Sequence, residues 1–171
     1  SEVIMNIAID LKNSFIKEEL DIPTLLLEPG RSIVGNAGIT VYKVGTVKEI
    51  EGLKTYVFID GGMADNPRPM MYQAKHSVAN TKETHEKKMV SIAGKYCESS
   101  DILAHDIYCD QFAENDYLIV FGTGAYNYSM ASNYNRNCRP AMIWVENGVE
   151  KVLVKRETYE DLIRLDREIN G

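Results

Sequence analysis

The hydrophobic pattern changes its period after Gly38, and this change most limits what the 171-residue chain can fold into. From Thr40 to Ile50 apolar and polar residues alternate, and Glu51-Gly52 forms a turn into a second segment, Lys54–Ile59. Alternation with a period of two is typical of β-strands that bury one face. We therefore predict a mainly β chain whose part after Gly38 forms an antiparallel barrel.

Further strands and a closing helix fit this architecture. Asn147-Gly148 is the clearest hairpin turn, since both residues tolerate the positive φ that a tight turn requires. The segment Thr158–Asp161 is typical of a helix N-terminus and precedes a short apolar run. Residues 73–88 are polar and are expected to form a mobile connection. The additional strands are predicted at Met89–Ala93, Tyr117–Phe121, Ala141–Glu146 and Val149–Lys155.

The beginning of the chain has a different pattern. Residues 4–20 place apolar side chains at helical spacing, and Pro23 follows them. Thr24–Leu27 is a short apolar strand of the kind that parallel sheets bury on both faces. Because one helix and one strand cannot form a domain alone, this segment is expected to be the last fragment of a larger α/β domain.

Composition excludes several classes of function. The net charge of −6 and the absence of any Lys/Arg block argue against general nucleic-acid binding. No apolar run reaches membrane-spanning length, and no signal peptide opens the chain. Three cysteines at irregular spacing predict neither a disulfide framework nor a zinc site, and the three histidines share no metal-binding spacing. We expect a soluble, cytoplasmic domain without a metal, and with no nucleic-acid or membrane partner.

Five short motifs carry residues suited to chemistry. Glycine and proline mark places where the backbone approaches a neighbour closely, and arginine beside them suits a carboxylate or phosphate. In chain order the motifs are Glu28-Pro29-Gly30-Arg31, Asp60–Pro69 with Tyr72 after it, Cys97-Glu98-Ser99-Ser100-Asp101, Gly124-Ala125-Tyr126 and Met130–Asn135.

Each motif also has an ordinary structural interpretation. Arg31 alone is as consistent with a surface arginine at a strand end, Arg68 with a surface salt bridge, and Tyr126 with a core tyrosine. A cysteine is most often a small buried apolar residue, and this, or simple surface placement, is the interpretation of Cys109 and Cys138. Gly122-Thr-Gly124 after a strand is similar to a dinucleotide-binding turn, but Asn127 stands where the third glycine is needed, so that interpretation is rejected.

Taken together, the five motifs resemble those of the diaminopimelate decarboxylase family, which is a fold-type III pyridoxal phosphate-dependent family. The resemblance runs from Thr24 to Asp166 and keeps the order of the family's motifs. It implies that residues 1–37 are the last helix and strand of a (β/α)8 barrel that binds the cofactor. Residues 38–171 then form the C-terminal β-barrel domain with its closing helix.

The resemblance also implies roles for individual residues. Cys97 corresponds to the proton donor that acts after carbon dioxide has left, since a thiol can protonate a carbanionic carbon. Ser99 and Asp101 would support it. The cofactor, pyridoxal 5'-phosphate, would be bound by Glu28, Pro29, Gly30, Arg31 and Tyr126. The substrate would be bound by Arg31, Arg68, Tyr72, Glu98 and Tyr126.

The implied reaction converts meso-diaminopimelate to L-lysine and carbon dioxide. Glu98 favours this substrate, because relatives acting on ornithine or arginine usually carry Asp after the cysteine. The resemblance further implies a homodimer with sites shared across its interface. It also places the Schiff-base lysine upstream of Ser1, so the isolated chain is expected to be inactive. Two alternatives remain: a decarboxylase of ornithine, arginine or carboxynorspermidine, and a non-catalytic interaction module derived from this family.

Overall fold

The computed structural model describes residues 2–82, 84 and 86–167. The chain divides into two compact units, Ser1–Gly30 and Arg31–Gly171. The first unit contains helix α1, Glu2–Lys17, with acidic Glu2 in its first turn and basic Lys17 in its last. These charges complement the helix dipole. The amphipathic helix predicted at residues 4–20 is therefore confirmed, although it begins and ends earlier than the apolar spacing indicated.

The strand predicted at Thr24–Leu27 is wrong. These residues form no ladder with any described part of the chain, and Leu26 is 84% exposed. A strand of a parallel sheet depends on neighbours that satisfy its backbone N–H and C=O groups. Without a paired neighbour, an apolar run in the sequence does not become a strand.

The second unit is built on a six-stranded sheet that curves into a nearly closed barrel, which confirms the predicted mainly β fold. Its strand order is β3-β6-β1-β2-β4-β5. Asn80, at the end of β3, connects the two edge strands: its N–H donates to Asp110 Oδ2 at 3.1 Å and its Nδ2 to the Gln111 carbonyl at 2.9 Å. The strands are β1 (Ile39–Ile50), β2 (Lys54–Ile59), β3 (Val78–Asn80), β4 (Lys87–Ala93), β5 (Ile102–Asp110) and β6 (Tyr117–Phe121).

One pairing corrects the prediction of a wholly antiparallel barrel. Strands β2 and β4 are parallel, whereas the other neighbours in the barrel are antiparallel. A parallel pair requires a long crossover, and residues 60–86 provide it between Ile59 and Lys87. The crossover contains helix α3, Arg68–Tyr72, and strand β3. Residues 73–88, expected to be a mobile connection, are thus partly ordered by pairing of β3 with β6.

Strand β1 turns the sheet at Gly45. Residues Ile39–Lys43 pair with β6, and Val44–Ile50 pair with β2, with a bulge at Gly45. A bulge bends a strand and increases its twist, which helps a sheet to close. The barrel interior is filled by buried apolar side chains from alternating strand positions and by Phe112, which follows β5. The strand residues are Tyr42, Val44, Val57, Ile59, Val90, Ile92, Leu103, Cys109, Leu118 and Val120.

A separate hairpin and a short helix complete the described chain. Strands β7 (Met142–Glu146) and β8 (Val149–Val154) form a two-stranded sheet joined by Asn147-Gly148, whose φ angles of 51° and 77° confirm the predicted turn. Helix α4, Tyr159–Ile163, begins at the predicted Thr158 cap, with a complete capping box to Asp161. Among the described helices, none combines the length and the apolarity needed to cross a bilayer.

Candidate functional site

Two arginines and two tyrosines from distant parts of the second unit meet in one cluster. The Arg31 guanidinium carbon lies 5.4 Å from the centre of the Tyr126 ring, and that of Arg68 lies 5.7 Å from the same ring. Arg68 also lies 5.0 Å from the ring centre of Tyr72. Cation–π contacts of this kind hold guanidinium groups without consuming their N–H donors. The structure therefore brings together Arg31, Arg68, Tyr72 and Tyr126, as the sequence motifs suggested.

Three short elements position this cluster. Arg31 opens helix α2, Arg31–Val34, which leads through a 3-10 turn into β1. Arg68 opens α3 after Pro67, and α3 ends at Gln73 in a left-handed conformation. Tyr126 follows β6 and has a φ of 61°, which is uncommon for a residue with a side chain. Helix starts and strand ends thus bring the cationic and aromatic side chains to one edge of the barrel.

The glycines of the 122–126 turn permit a close backbone approach. A Cβ atom on Gly124 would lie 2.0 Å from the Val34 carbonyl oxygen, and one on Gly38 would lie 2.3 Å from Gly124 Cα. Backbone hydrogen bonds join the two segments: Thr123 donates to Gly38 and Gly124 donates to Gly35, both at 3.0 Å. The Gly-x-Gly sequence therefore serves backbone packing beside Arg31, in agreement with rejection of the dinucleotide interpretation.

Both arginines retain buried donors with no partner in the described structure. Arg31 Nη1 donates to the Gly122 carbonyl at 3.1 Å, but Arg31 Nη2 and Arg68 Nε are buried without a hydrogen bond. An unpaired buried donor is costly, about 1–3 kcal/mol and more for a charged group. Two such donors in one cluster have the chemistry that suits an oxyanion.

A surface pocket of about 320 Å³ is lined by the two residues that carry these donors. Its lining includes Arg31, Arg68 and Lys75, and no carboxylate is among the described residues that line it. The volume lies within the usual range for small-molecule sites. Charge and size together fit a small anion, such as a phosphate ester or a carboxylate.

His76 also lines this pocket and was not identified from the sequence. The sequence predicts a solvent-facing or structural histidine here, and His76 is indeed partly exposed, with its Nδ1 2.9 Å from the Phe121 carbonyl oxygen. Its Nε2 is buried without a partner in the described structure. The one feature of the sequence that could have linked His76 to the site is its position four residues after Tyr72, in the same connection that carries Arg68.

A buried hydrogen bond between two asparagine side chains links the loops that carry Arg68 and Tyr126. Asn127 Nδ2 donates to Asn66 Oδ1 at 2.6 Å, and these residues are only 4% and 1% exposed. Asn66 lies two residues before Arg68, and Asn127 directly follows Tyr126. A second link joins the same region, since Ser132 donates its N–H to the Ala64 carbonyl at 2.8 Å. The pair was not singled out in the sequence, because nothing local relates residues 66 and 127.

Cys97 and Glu98 lie on a different loop, between β4 and β5. Cys97 and Glu98 are exposed, and Glu98 accepts a long hydrogen bond of 3.5 Å from the Tyr134 hydroxyl. No hydrogen bond or ion pair among the described residues links them to the arginine cluster. Glu28 and Pro29 are exposed residues of the first unit, as described within that unit.

Asp101 holds the Cys97 loop in place. Its buried carboxylate accepts the N–H of Met63 at 2.7 Å and that of Tyr96 at 2.8 Å. Burial raises the pKa of Asp101, and these two N–H donors oppose the increase. The carboxylate thus connects the loop before Arg68 with the loop that carries Cys97, which agrees with the supporting role expected for Asp101.

The three cysteines have distinct environments. Cys97 is exposed, Cys138 is partly exposed, and Cys109 is buried in the core; each is unpaired. Burial raises the pKa of the Cys109 thiol to about 11, and the nearby Asp110 charge acts in the same direction. A neutral buried thiol behaves as an apolar side chain, which confirms the structural interpretation of Cys109.

Comparison with known proteins identifies the family. Residues 7–124 match the family described as "Pyridoxal-dependent decarboxylase, C-terminal sheet domain". The diaminopimelate decarboxylase of Bacillus subtilis is 52% identical over 169 residues, which are 97% of this chain and 38% of that protein. The diaminopimelate decarboxylase of Methanocaldococcus jannaschii is 45% identical over 150 residues, 88% of this chain and 34% of that protein.

Solved structures give the same result. Diaminopimelate decarboxylase from M. jannaschii in complex with L-lysine matches with a TM-score of 0.83 and 42% identity, covering 94% of this chain and 37% of that one. The enzyme from Helicobacter pylori complexed with L-lysine matches with a TM-score of 0.77 and 35% identity, covering 85% and 36%. This chain thus spans well under half the length of these relatives. It belongs to the pyridoxal-dependent decarboxylase family, whose C-terminal sheet domain its barrel represents.

Proposed function

We propose that this chain is part of a decarboxylase that converts meso-diaminopimelate to L-lysine and carbon dioxide, the last step of lysine biosynthesis. One observation carries the proposal: the arginine–tyrosine cluster, with two unpaired guanidinium donors, occurs in a chain 52% identical to a diaminopimelate decarboxylase. The substrate is a small amino acid with two carboxylates. A pocket lined by cations therefore suits its recognition.

The donor set fits pyridoxal 5'-phosphate, the cofactor that the family uses. When bound, this cofactor withdraws electrons from the carbon that loses carbon dioxide. Arg31 Nη2 is an unpaired buried donor that suits a phosphate or carboxylate oxygen. Tyr126 would contact cofactor and substrate, while Pro29 and Gly30 would shape the backbone that holds the phosphate. Glu28 would provide a carboxylate that keeps the pyridine nitrogen of the cofactor protonated.

The substrate would be held at its two ends by residues from two copies of this chain. Arg31 and Arg68 would bind carboxylates, and Tyr72, which stacks on Arg68, would keep that guanidinium oriented. Glu98 would bind the distal ammonium group. Cys97 would donate a proton from Sγ to the carbon that has lost carbon dioxide, a role that needs an accessible thiol, and Cys97 is exposed.

The proposal includes the organisation of the complete enzyme. Residues 1–37 would belong to the end of a (β/α)8 barrel, and residues 38–171 would form the β domain. The lysine that binds the cofactor covalently would lie outside this chain, so the chain alone would not release carbon dioxide from meso-diaminopimelate. Two copies would form a homodimer in the cytoplasm, with Cys97 and Glu98 completing the partner's site. The unpaired cysteines are consistent with a reducing compartment.

Carbon dioxide release by the complete decarboxylase carrying this chain tests the proposal. We expect turnover of meso-diaminopimelate but not of ornithine. We expect Cys97→Ala to lower kcat by about 100-fold or more, because a general acid contributes on that scale. Cys138→Ala is the matched control and should retain activity, since Cys138 lies outside the cluster.

The other outcomes are equally informative. Turnover confined to ornithine, arginine or carboxynorspermidine would show that Glu98 does not identify the substrate. A folded, cofactor-loaded protein without activity on any of these amino acids would contradict the decarboxylase proposal and indicate a non-catalytic module.

A further inference from the structure

One nitrogen of the His76 imidazole is hydrogen-bonded, and the other has no hydrogen-bond partner in the described structure. Nδ1 lies 2.9 Å from the Phe121 carbonyl oxygen. A carbonyl oxygen can only accept, so Nδ1 must carry the proton of this hydrogen bond. Nε2 is buried and has no partner in the described structure. In the neutral ring, Nε2 therefore presents a lone pair that nothing satisfies.

The surroundings of His76 are cationic. Helix α2 contributes Arg31 to the pocket, helix α3 contributes Arg68, and the following connection contributes Lys75. The end of β6 contributes backbone carbonyls, and no carboxylate is among the described residues that line the pocket. His76 and Arg31 are fastened to the consecutive carbonyls of Phe121 and Gly122, so the same turn fixes both side chains.

Three buried nitrogen atoms of this pocket have no partner in the described structure: Arg31 Nη2, Arg68 Nε and His76 Nε2. The two arginine nitrogens can only donate. The imidazole nitrogen can donate as well once it is protonated, while Nδ1 keeps its bond to Phe121. A single oxyanion brings several lone pairs, enough to accept hydrogen bonds from all three, and it offsets the cationic charge.

We propose that His76 Nε2 binds the oxyanion of this pocket through one proton held between the nitrogen and an anion oxygen. The inference rests on the proposed function, in which the pocket accepts the anionic groups of cofactor and substrate. Neutral imidazole and a phosphate dianion both present lone pairs, so they need one additional proton to bind. That proton comes from solvent, so binding of the phosphate dianion is accompanied by proton uptake.

Two substitutions distinguish the role of Nε2, which is proposed to bind the anion, from that of Nδ1, which is hydrogen-bonded to the Phe121 carbonyl. In His76→Asn, the side-chain amide can still donate to the Phe121 carbonyl, but no group reaches the position of Nε2. In His76→Gln, the amide nitrogen lies near the position of Nε2 and donates at every pH. We expect His76→Asn to weaken phosphate binding by about tenfold, the equivalent of one hydrogen bond to a charged group. We expect His76→Gln to bind phosphate without taking up a proton.

The experiment titrates the 171-residue chain and both variants with inorganic phosphate, and separately with acetate, by calorimetry. Repeating each titration in two buffers of different ionisation enthalpy gives the number of protons taken up. The ¹⁵N chemical shift of Nε2, with and without the anion, reports protonation at that atom directly. Far-UV circular dichroism and urea unfolding confirm that each variant is folded. The phosphate and acetate arms distinguish a phosphate group from a carboxylate as the preferred oxyanion.

The expected result is weaker phosphate binding by His76→Asn, with proton uptake in the unaltered chain that both variants lose. Equal phosphate affinity in the unaltered chain and in folded His76→Asn would overturn the inference. So would an Nε2 signal that phosphate does not shift, or the absence of binding to the unaltered chain. These titrations do not depend on turnover, so loss of the proposed decarboxylation alone would contradict the proposed function and leave the oxyanion result standing.

Discussion

Asn66 and Asn127 form the single most informative residue pair outside the cluster itself. Each lies beside a residue of the cluster, and their 2.6 Å hydrogen bond is almost completely buried. Replacing either one by Ala leaves the partner amide without its hydrogen bond. We expect Asn127→Ala to lower the free energy of unfolding by about 1–3 kcal/mol, as measured by urea denaturation.

A double-mutant cycle tests whether the two amides act together. Combining Asn66→Ala with Asn127→Ala should cost less than the sum of the single substitutions, because the second removes a group that is already unpaired. Strictly additive losses would show that each amide stabilises the fold independently.

Glu157 gives the free energy of unfolding the clearest pH dependence of any single residue. Its carboxylate accepts hydrogen bonds of 2.7 and 2.5 Å from the Arg139 guanidinium, as well as the Arg139 N–H at 2.8 Å. These bonds lower the pKa of Glu157 from 4.5 to about 2. Because the pKa is lower in the folded state, the pair stabilises the fold fully above pH 4.5. That stabilisation is lost as the pH falls from 4.5 towards 2.

We therefore predict that Glu157→Gln lowers the free energy of unfolding near neutral pH, and that its difference from the unaltered chain shrinks below pH 4.5 and disappears only below about pH 2. Urea unfolding of both proteins between neutral and acidic pH measures this difference in the free energy of unfolding. Glu150→Gln, a substitution of an exposed residue in the nearby hairpin, is the control and should leave unfolding unchanged at both extremes. A loss for Glu157→Gln that is constant with pH would contradict the assignment.

At the scale of elements, the loop that carries Cys97 depends on two glycines packed against Asp101. A Cβ atom on Gly94 would lie 2.1 Å from Asp101 Oδ2, and one on Gly62 would lie 2.4 Å from Asp101 Oδ1. We predict that Gly94→Ala lowers the free energy of unfolding by about 1–3 kcal/mol, since the carboxylate must move away from its N–H donors. Gly45→Ala is the matched control, because its Cβ would meet only the Phe58 carbonyl, at 3.8 Å. Equal losses in the two variants would contradict this explanation.

The elements also show which features the sequence could predict. Strands β1 and β6 alternate regularly and were predicted, as was the hairpin turn at Asn147. Strand β5 was missed because Asp106 has a φ of 48° beside a register shift, so its buried residues, Leu103 and Cys109, are separated by positions that are not buried. Strand β3 was missed because three residues in a polar stretch carry no period, and only pairing with β6 makes them a strand.

The residues of the candidate site also differ in whether the sequence could predict them. Arg31, Arg68, Tyr72 and Tyr126 could be predicted because their motifs resemble those of the family, and the structure brings these four together. His76 could not be, since the Phe121 carbonyl that orients it is 45 positions away. Local sequence thus predicts which residues carry the charge, whereas the sheet topology decides which neighbours orient them.

At the scale of the molecule, the hairpin of β7 and β8 exposes apolar side chains. Trp144 is 51% exposed, Val145 67% and Val152 60%. Clusters of exposed apolar residues favour association. We predict that the isolated chain self-associates, so that its weight-average sedimentation coefficient rises with protein concentration. We expect Val145→Lys to reduce this rise, whereas Lys48→Glu, on barrel strand β1, should not. A sedimentation coefficient that is independent of concentration would contradict the prediction.

The parallel pairing of β2 with β4 has a consequence for the order in which this protein folds. Such a pair closes only after the intervening crossover has been placed, which makes it a slow, non-local event. The crossover carries Arg68, and Tyr126 reaches it only once β6 has paired with β1 and β3. We therefore expect the pocket lined by Arg31, Arg68 and His76 to form late in refolding, so that phosphate binding would report the last stage of folding.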